Sequence, residues 1–286
     1  MNPADVRKIV NQSRAIEGWF SSEAAMLFAW VNDIQRRNNI HGDSFEIGCH
    51  HGKSALLMAS MLNPEREKLA VCDLFGLQAG NVSRSGHGCL SAFDRNLQQV
   101  RETGLNIDVY QKNSAELSAS EIGRNYRFFH VDGGHNPDEA LHDLKLAAEC
   151  TIDSGVLVLD DPFRTEWPGV TEALIRFVDE QPDFHPIMVG CNKLLLTRSS
   201  CSQIYINELE SMSQRERFGF GYPWRVKQMP FVNTQLRVLY VPENLQKKSI
   251  GNLMRMLYNK SGRPGAGMRK ADPRGVSQAE ASSTSG

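Results

Sequence analysis

The chain has 286 residues, 41% of them hydrophobic, and its 32 basic residues nearly balance 33 acidic ones for a formal net charge of -1. That length and apolar content suit one generous folded domain with appendages, and the balanced charge excludes a whole-chain field that would draw nucleic acid or an anionic membrane. No apolar stretch reaches the roughly 18 residues a bilayer crossing needs, and no basic segment leads into an apolar signal core, so a cytoplasmic location and a small-molecule partner are expected.

In chain order, apolar periodicity at Ala24, Leu27, Phe28, Trp30, Val31 and Ile34 behind the capping candidates Ser21 and Ser22 predicts a helix over 22–37. Together with what precedes it, this reads as a helical cap over 1–43. Short apolar runs at 44–48, 69–73, 107–110, 126–132 and 155–160 then read as buried strands, separated by helical patterns at 53–62, 90–102, 115–122, 137–149 and 169–180. Strict alternation of strand and helix implies an α/β fold whose parallel sheet is covered on both faces. Runs at 185–189 and 193–197, joined by Gly190, Cys191 and Asn192, suit a closing hairpin. The main domain is therefore expected over 44–198. Beyond it lies an extension over 199–258 with an aromatic and basic stretch (Phe218, Phe220, Tyr222, Trp224, Arg225, Phe231), which would cover the site, form a homo-oligomer contact or simply pack. From 259 to 286 the Gly, Ser, Pro and Arg content predicts a disordered tail. Six scattered cysteines with no Cys-x-x-Cys pair read as reduced thiols.

The turn from the first strand into the first helix carries Glu46, Gly48, Gly52 and Ser54, where glycine lets a ligand approach the backbone and helix N–H groups face it. Gly48 to Ser54 also looks like a phosphate-binding P-loop, with the strand ending in Asp160 and Asp161 as its acidic partner. A P-loop needs four residues between its glycines, however, and this chain has three. The pattern Glu-x-Gly-x-x-x-Gly instead resembles motif I of class I S-adenosylmethionine (SAM) methyltransferases, which makes Lys53 a solvated helix residue. That resemblance implies a Rossmann-like seven-stranded sheet, mostly parallel with one terminal antiparallel strand. Asp73, at the end of the second strand, would accept the two ribose hydroxyls, and Ser114, after the third, would meet the adenine.

Asp132, Asp160 and Asp161 fall at the C-terminal ends of the fourth and fifth strands, the edge where open α/β sheets bind ligands. Three converging carboxylates would repel unless a cation lay between them, and an all-oxygen set suits Mg²⁺. Taken singly, each acid also fits a turn beside Gly133 and Gly134 or beside Pro162. Asp132-Gly133-Gly134-His135, with Asp160-Asp161 further on, resembles the metal site of the small-molecule O-methyltransferases that modify deoxysugars of macrolide and aminocoumarin antibiotics. The stretch Asp73-Leu74-Phe75, continuing to Asn81, Ser85, Gly86, Gly88 and Phe93, is similar to that group's substrate-covering loop.

The resemblance spans 46–197 and implies Mg²⁺ on Asp132, Asp160 and Asp161, SAM on Glu46, Gly48, Ser54, Asp73, Ser114 and Asp132, and a saccharide hydroxyl as methyl acceptor. Some members of that group place an acid where this chain has Gly134; others use a histidine at the position of His135. His135 is thus the implied general base, a role that imidazole chemistry suits. Three alternatives stand beside this reading: a catechol-type phenolic O-methyltransferase, a P-loop-like nucleotide-binding protein, and a SAM-fold protein without catalysis.

Overall fold

The computed structural model describes residues 3–81, 84–214 and 225–240, all within one compact unit, Met1–Pro242. Helices α1 (Pro3–Ser13) and α2 (Ser22–Arg37) come first, then β1 (Asp43–Ile47), α3 (Lys53–Ser60), β2 (Leu69–Asp73), α4 (Leu90–Arg101), β3 (Ile107–Gln111), the short α5 (Ala119–Ile122) and β4 (Tyr126–Val131). They are followed by α6 (Pro137–Cys150), β5 (Thr151–Asp160), α7 (Pro168–Glu180), β6 (Phe184–Gly190), β7 (Lys193–Arg198), α8 (Ser202–Gln214), β8 (Arg225–Phe231) and β9 (Thr234–Tyr240). The helix expected over 22–37 forms as such, and its N-cap is Ser21, whose hydroxyl accepts the Ala24 N–H at 3.1 Å. Helix α1, which the periodicity did not separate from the cap, buries Val6 and Val10 against the same core.

The strands lie in the order β3-β2-β1-β4-β5-β7-β6-β9-β8. The first five are mutually parallel, and β7 runs antiparallel between β5 and β6. This is the α/β fold expected from the strand and helix alternation, but the described residues hold nine strands where seven were expected. The difference comes from the extension: residues 225–240, read as an appendage, form a hairpin whose β9 pairs in parallel with the end of β6 at Met188 and Val189. The hairpin turns at Val232, and its Phe231 meets Phe163 edge-to-face at 5.6 Å, just past the end of β5. Phe218, Phe220, Tyr222 and Trp224, and the tail expected over 259–286, lie outside the described residues.

Alternation along the central strands divides the core. Phe128, Val156 and Val158 pack under α1, α2, α3, α4 and α8, whereas Phe129, Leu157 and Leu159 pack under α5, α6 and α7. With both faces covered, β1 and β4 are buried along their whole length, as parallel strands in such a sandwich must be. All six cysteines are free, and Cys49, Cys72 and Cys150 are buried. No described helix is long and apolar enough to cross a membrane.

Candidate active site

The C-terminal ends of β1, β2, β4 and β5 open into a cavity of about 470 Å³, within the range of small-molecule sites. Gly48, Ser54, Asp73, Ser114, Asp132, His135, Asp160 and Asp161, all singled out from the sequence, line it. Glu46 does not: strand alternation turns it into the sheet, where the β1–β4 register sets it opposite His130. Both side chains are fully buried, and Glu46 Oε1 lies 2.8 Å from His130 Nδ1. Burial pushes the Glu46 carboxyl up to about 8 against the opposing Ser54 hydrogen bond and Lys193 charge. Burial likewise drives the His130 imidazole down to about 3, with Lys193 adding to the effect and Asp160 opposing it. His130 Nε2 finds no hydrogen-bond partner among the described residues.

The turn after β1 is shaped by backbone. Gly48 has φ +82, and a Cβ there would fall onto the Asp132 carbonyl, so only glycine lets β1 and β4 close together. His50 follows with φ 51, and its N–H donates to Asp73 Oδ2 at 2.7 Å while the Phe75 N–H donates to Oδ1 at 2.6 Å. Asp73 thus anchors both loops, and because each carboxylate oxygen accepts more than one bond it retains capacity for ligand hydroxyls. Lys53, expected to be solvated, donates to the Gly18 carbonyl at 2.8 Å and holds the α1–α2 loop to the cavity mouth. There Trp19, 76% exposed, tilts against His50 at 5.6 Å between ring centroids. Nothing in the sequence around Trp19 marked it as part of the site, because the tie is tertiary.

The opposite wall is ionic. Ligand atoms of Asp132, Asp160 and His130 lie within 4.8 Å of one another. Burial and the Asp160 charge push the Asp132 carboxyl well above the ordinary range. Asp160 Oδ1 accepts from the Asp161 N–H at 2.8 Å and from Asn192 Nδ2 at 3.0 Å, and it lies 2.5 Å from Lys193 Nζ. Asp161, expected with Asp132 and Asp160, lies outside their group of ligand atoms but shares the Asn192 amide with Asp160. Asp161 Oδ2 lies 3.5 Å from His135 Nε2, and its Oδ1 meets Asn192 Nδ2 and, at 3.4 Å, Arg164. Burial alone would raise its carboxyl, but His135, Asn192 and Arg164 outweigh that and hold it at about 2. The turn that aims it puts Asp161 at φ 54, an uncommon conformation for a residue with a Cβ.

His135 stands over this wall with its ring stacked on Trp167 at 4.1 Å and 20° and its Nδ1 3.1 Å from Ser85 Oγ, on the stretch read as a covering loop. Glu139 was missed. The Asn136 side chain caps α6 by accepting the Glu139 N–H at 2.9 Å, and the Glu139 carboxylate reaches the space that a Cβ on Gly134 would take. The Asn-Pro-Asp-Glu capping signature was legible in the sequence; the direction of the side chain was not.

Residues 45–162 match a family model described as a methyltransferase domain. No curated protein sequence matches the chain. Among solved structures, the O-methyltransferase NovP is similar with a TM-score of 0.52 at 14% identity, over 67% of this chain and 87% of that one. An SAH-bound methyltransferase of Podospora anserina, PaMTH1, scores 0.49 at 14% identity over 69% and 89%, and the calicheamicin methyltransferase CalS11 scores 0.47 at 11% over 68% and 91%. The class I methyltransferase resemblance read from the motifs is thereby borne out by the family model over residues 45–162 and by the fold.

Proposed function

We propose that the protein is a SAM-dependent O-methyltransferase that methylates a hydroxyl of a sugar or glycosylated small molecule, with His135 as general base and a divalent cation of the Mg²⁺ class on Asp132 and Asp160. The observation that carries this reading is convergence: the motif I turn, the Asp132–Asp160 pair and His135 all face one cavity. The O-methyl chemistry named for NovP agrees with it.

SAM fits the cavity on Gly48, Ser54, Asp73, Ser114 and Asp132, with Glu46 acting from behind the wall by fixing His130. The donor set fits a hard cation in part, through two convergent carboxylates, while Asp161 serves His135. When bound, such a cation polarises the acceptor hydroxyl and lowers its pKa. The chain's own contribution is orientation and proton removal. Asp161 and the Trp167 ring hold the His135 imidazole, and with Nε2–H toward Asp161, Nδ1 is the basic nitrogen. Ser85 Oγ marks where an acceptor hydroxyl would sit, at hydrogen-bond distance from Nδ1. When bound, SAM would supply the methyl group to the acceptor oxygen and leave as S-adenosylhomocysteine, and Nδ1 of His135 would take the hydroxyl proton.

Trp19, Phe20 and Trp167 line the same cavity, an aromatic wall that favours a phenolic, catechol-type acceptor as the second reading. Incubation with methyl-labelled SAM and parallel panels of nucleotide sugars and catechols, in MgCl₂ or EDTA, tests the proposal. Labelled sugar ether formed only with Mg²⁺ supports it. Label in catechols alone moves the assignment to the second reading, and transfer undiminished by EDTA removes the cation.

A further inference from the structure

The cation between the strand-end acids was invoked to offset their repulsion, yet the fold already supplies a tethered one. The β5–β7 register sets Lys193 opposite Asp160, and only 2% of the Lys193 side chain is exposed. Its ammonium lies 2.5 Å from Asp160 Oδ1 and 5.8 Å from the centre of the Phe20 ring. A lysine buried this deeply stays charged only if a carboxylate compensates its lost hydration. Asp160 is that partner, and the same oxygen also receives the Asp161 N–H and the Asn192 amide. A carboxylate oxygen offers two lone pairs, so three donors saturate Oδ1 and leave Asp160 only Oδ2 for a metal. Of the remaining neighbours, Glu46 is bonded to His130, and Asp132 is the other carboxylate that the Lys193 charge reaches.

We infer that Lys193 is a built-in competitor for the divalent cation: its ammonium and the metal draw on the same carboxylate, so the fixed charge of Lys193 weakens metal binding at Asp160. This rests on the cation reading proposed above and deepens it, since it makes the affinity of the site a property of a residue that no strand-end motif contains. Repulsion between an ammonium and a dication at close range is strong in a buried setting, so the competition places the site at the weak end of Mg²⁺ binding. Removing the charge frees the carboxylate without touching either acid.

Calorimetric titration of MgCl₂ into the full chain tests this, with Lys193→Met and Lys193→Arg beside the wild type and Asp132→Asn as the variant lacking a site ligand. Lys193→Met is expected to bind Mg²⁺ about tenfold tighter or more, whereas Lys193→Arg, which keeps the charge, stays within about threefold of wild type. Circular dichroism checks folding, and Lys193→Gln, whose amide still donates to Asp160 without a charge, replaces the Met variant if that one fails to fold. Equal or weaker Mg²⁺ affinity in the neutral variant overturns the inference while leaving the cation reading intact. No Mg²⁺ binding to wild type or to any variant overturns both.

Discussion

On its β1–β2 side the cavity is walled by backbone, and on its β4–β5–β7 side by charge. The first wall is made of glycine and left-handed turns whose N–H groups are gathered by Asp73. The second is made of Asp132, Asp160 and Asp161, with Lys193, His130 and Glu46 behind them. The difference teaches where each kind of site keeps its information. A backbone wall is written in consecutive residues, because a turn is local. An ionic wall is written in the register between strands, because its members meet only after pairing.

Breaking the backbone wall should have the largest effect. Gly48→Ala forces a Cβ onto the Asp132 carbonyl at a φ that favours glycine. The expected loss is about 3 kcal/mol or more of stability, measured by urea unfolding, together with loss of SAM binding. Near-normal stability would show that β1 and β4 can part at this point without cost.

Breaking the ionic wall at its base should leave the fold and the cofactor affinity intact. His135→Ala is expected to lower kcat by about 100-fold or more with SAM affinity and acceptor KM little changed. An unchanged kcat would place the base elsewhere, with Glu139 the next carboxylate on the cavity wall.

The contrast between the walls explains what the sequence could disclose. The α2 boundaries, the parallel core strands, the Gly48 turn and Asp73 were legible because periodicity and glycine spacing are local signals. The partners of Asp160 were not. Lys193 looks like any residue opening a strand, and only the antiparallel register with β5 reveals it. His130 carried a weaker signal, since it shares a strand face with Asp132 two residues on, a position where a buried imidazole needs a reason. The β8–β9 hairpin escaped because β8 is largely exposed and β9 is only part-buried, so neither carries the continuous apolar run that marks the inner strands.

A smaller effect sharpens the comparison. Asp161→Asn removes the carboxylate that faces His135 and should cost about tenfold in kcat, the scale of lost orienting partners. Its signature is also thermodynamic. The folded-state carboxyl is held at about 2, below its ordinary value of 3.8, so its contribution is present in full above the ordinary value and fades as pH falls through the folded one. The stability advantage of wild type over Asp161→Asn should therefore shrink by about 2 kcal/mol between pH 5 and pH 2. A gap that does not change with pH would mean that Asp161 is not held ionised by its neighbours.

The central claim, that the backbone wall holds SAM, is tested most directly by calorimetric titration of the full chain with SAM and, separately, with ATP. Micromolar SAM binding that disappears in Asp73→Ala, with no ATP binding, is the result expected. Binding of ATP alone would contradict the account and return the Gly48–Ser54 turn to the phosphate-binding reading.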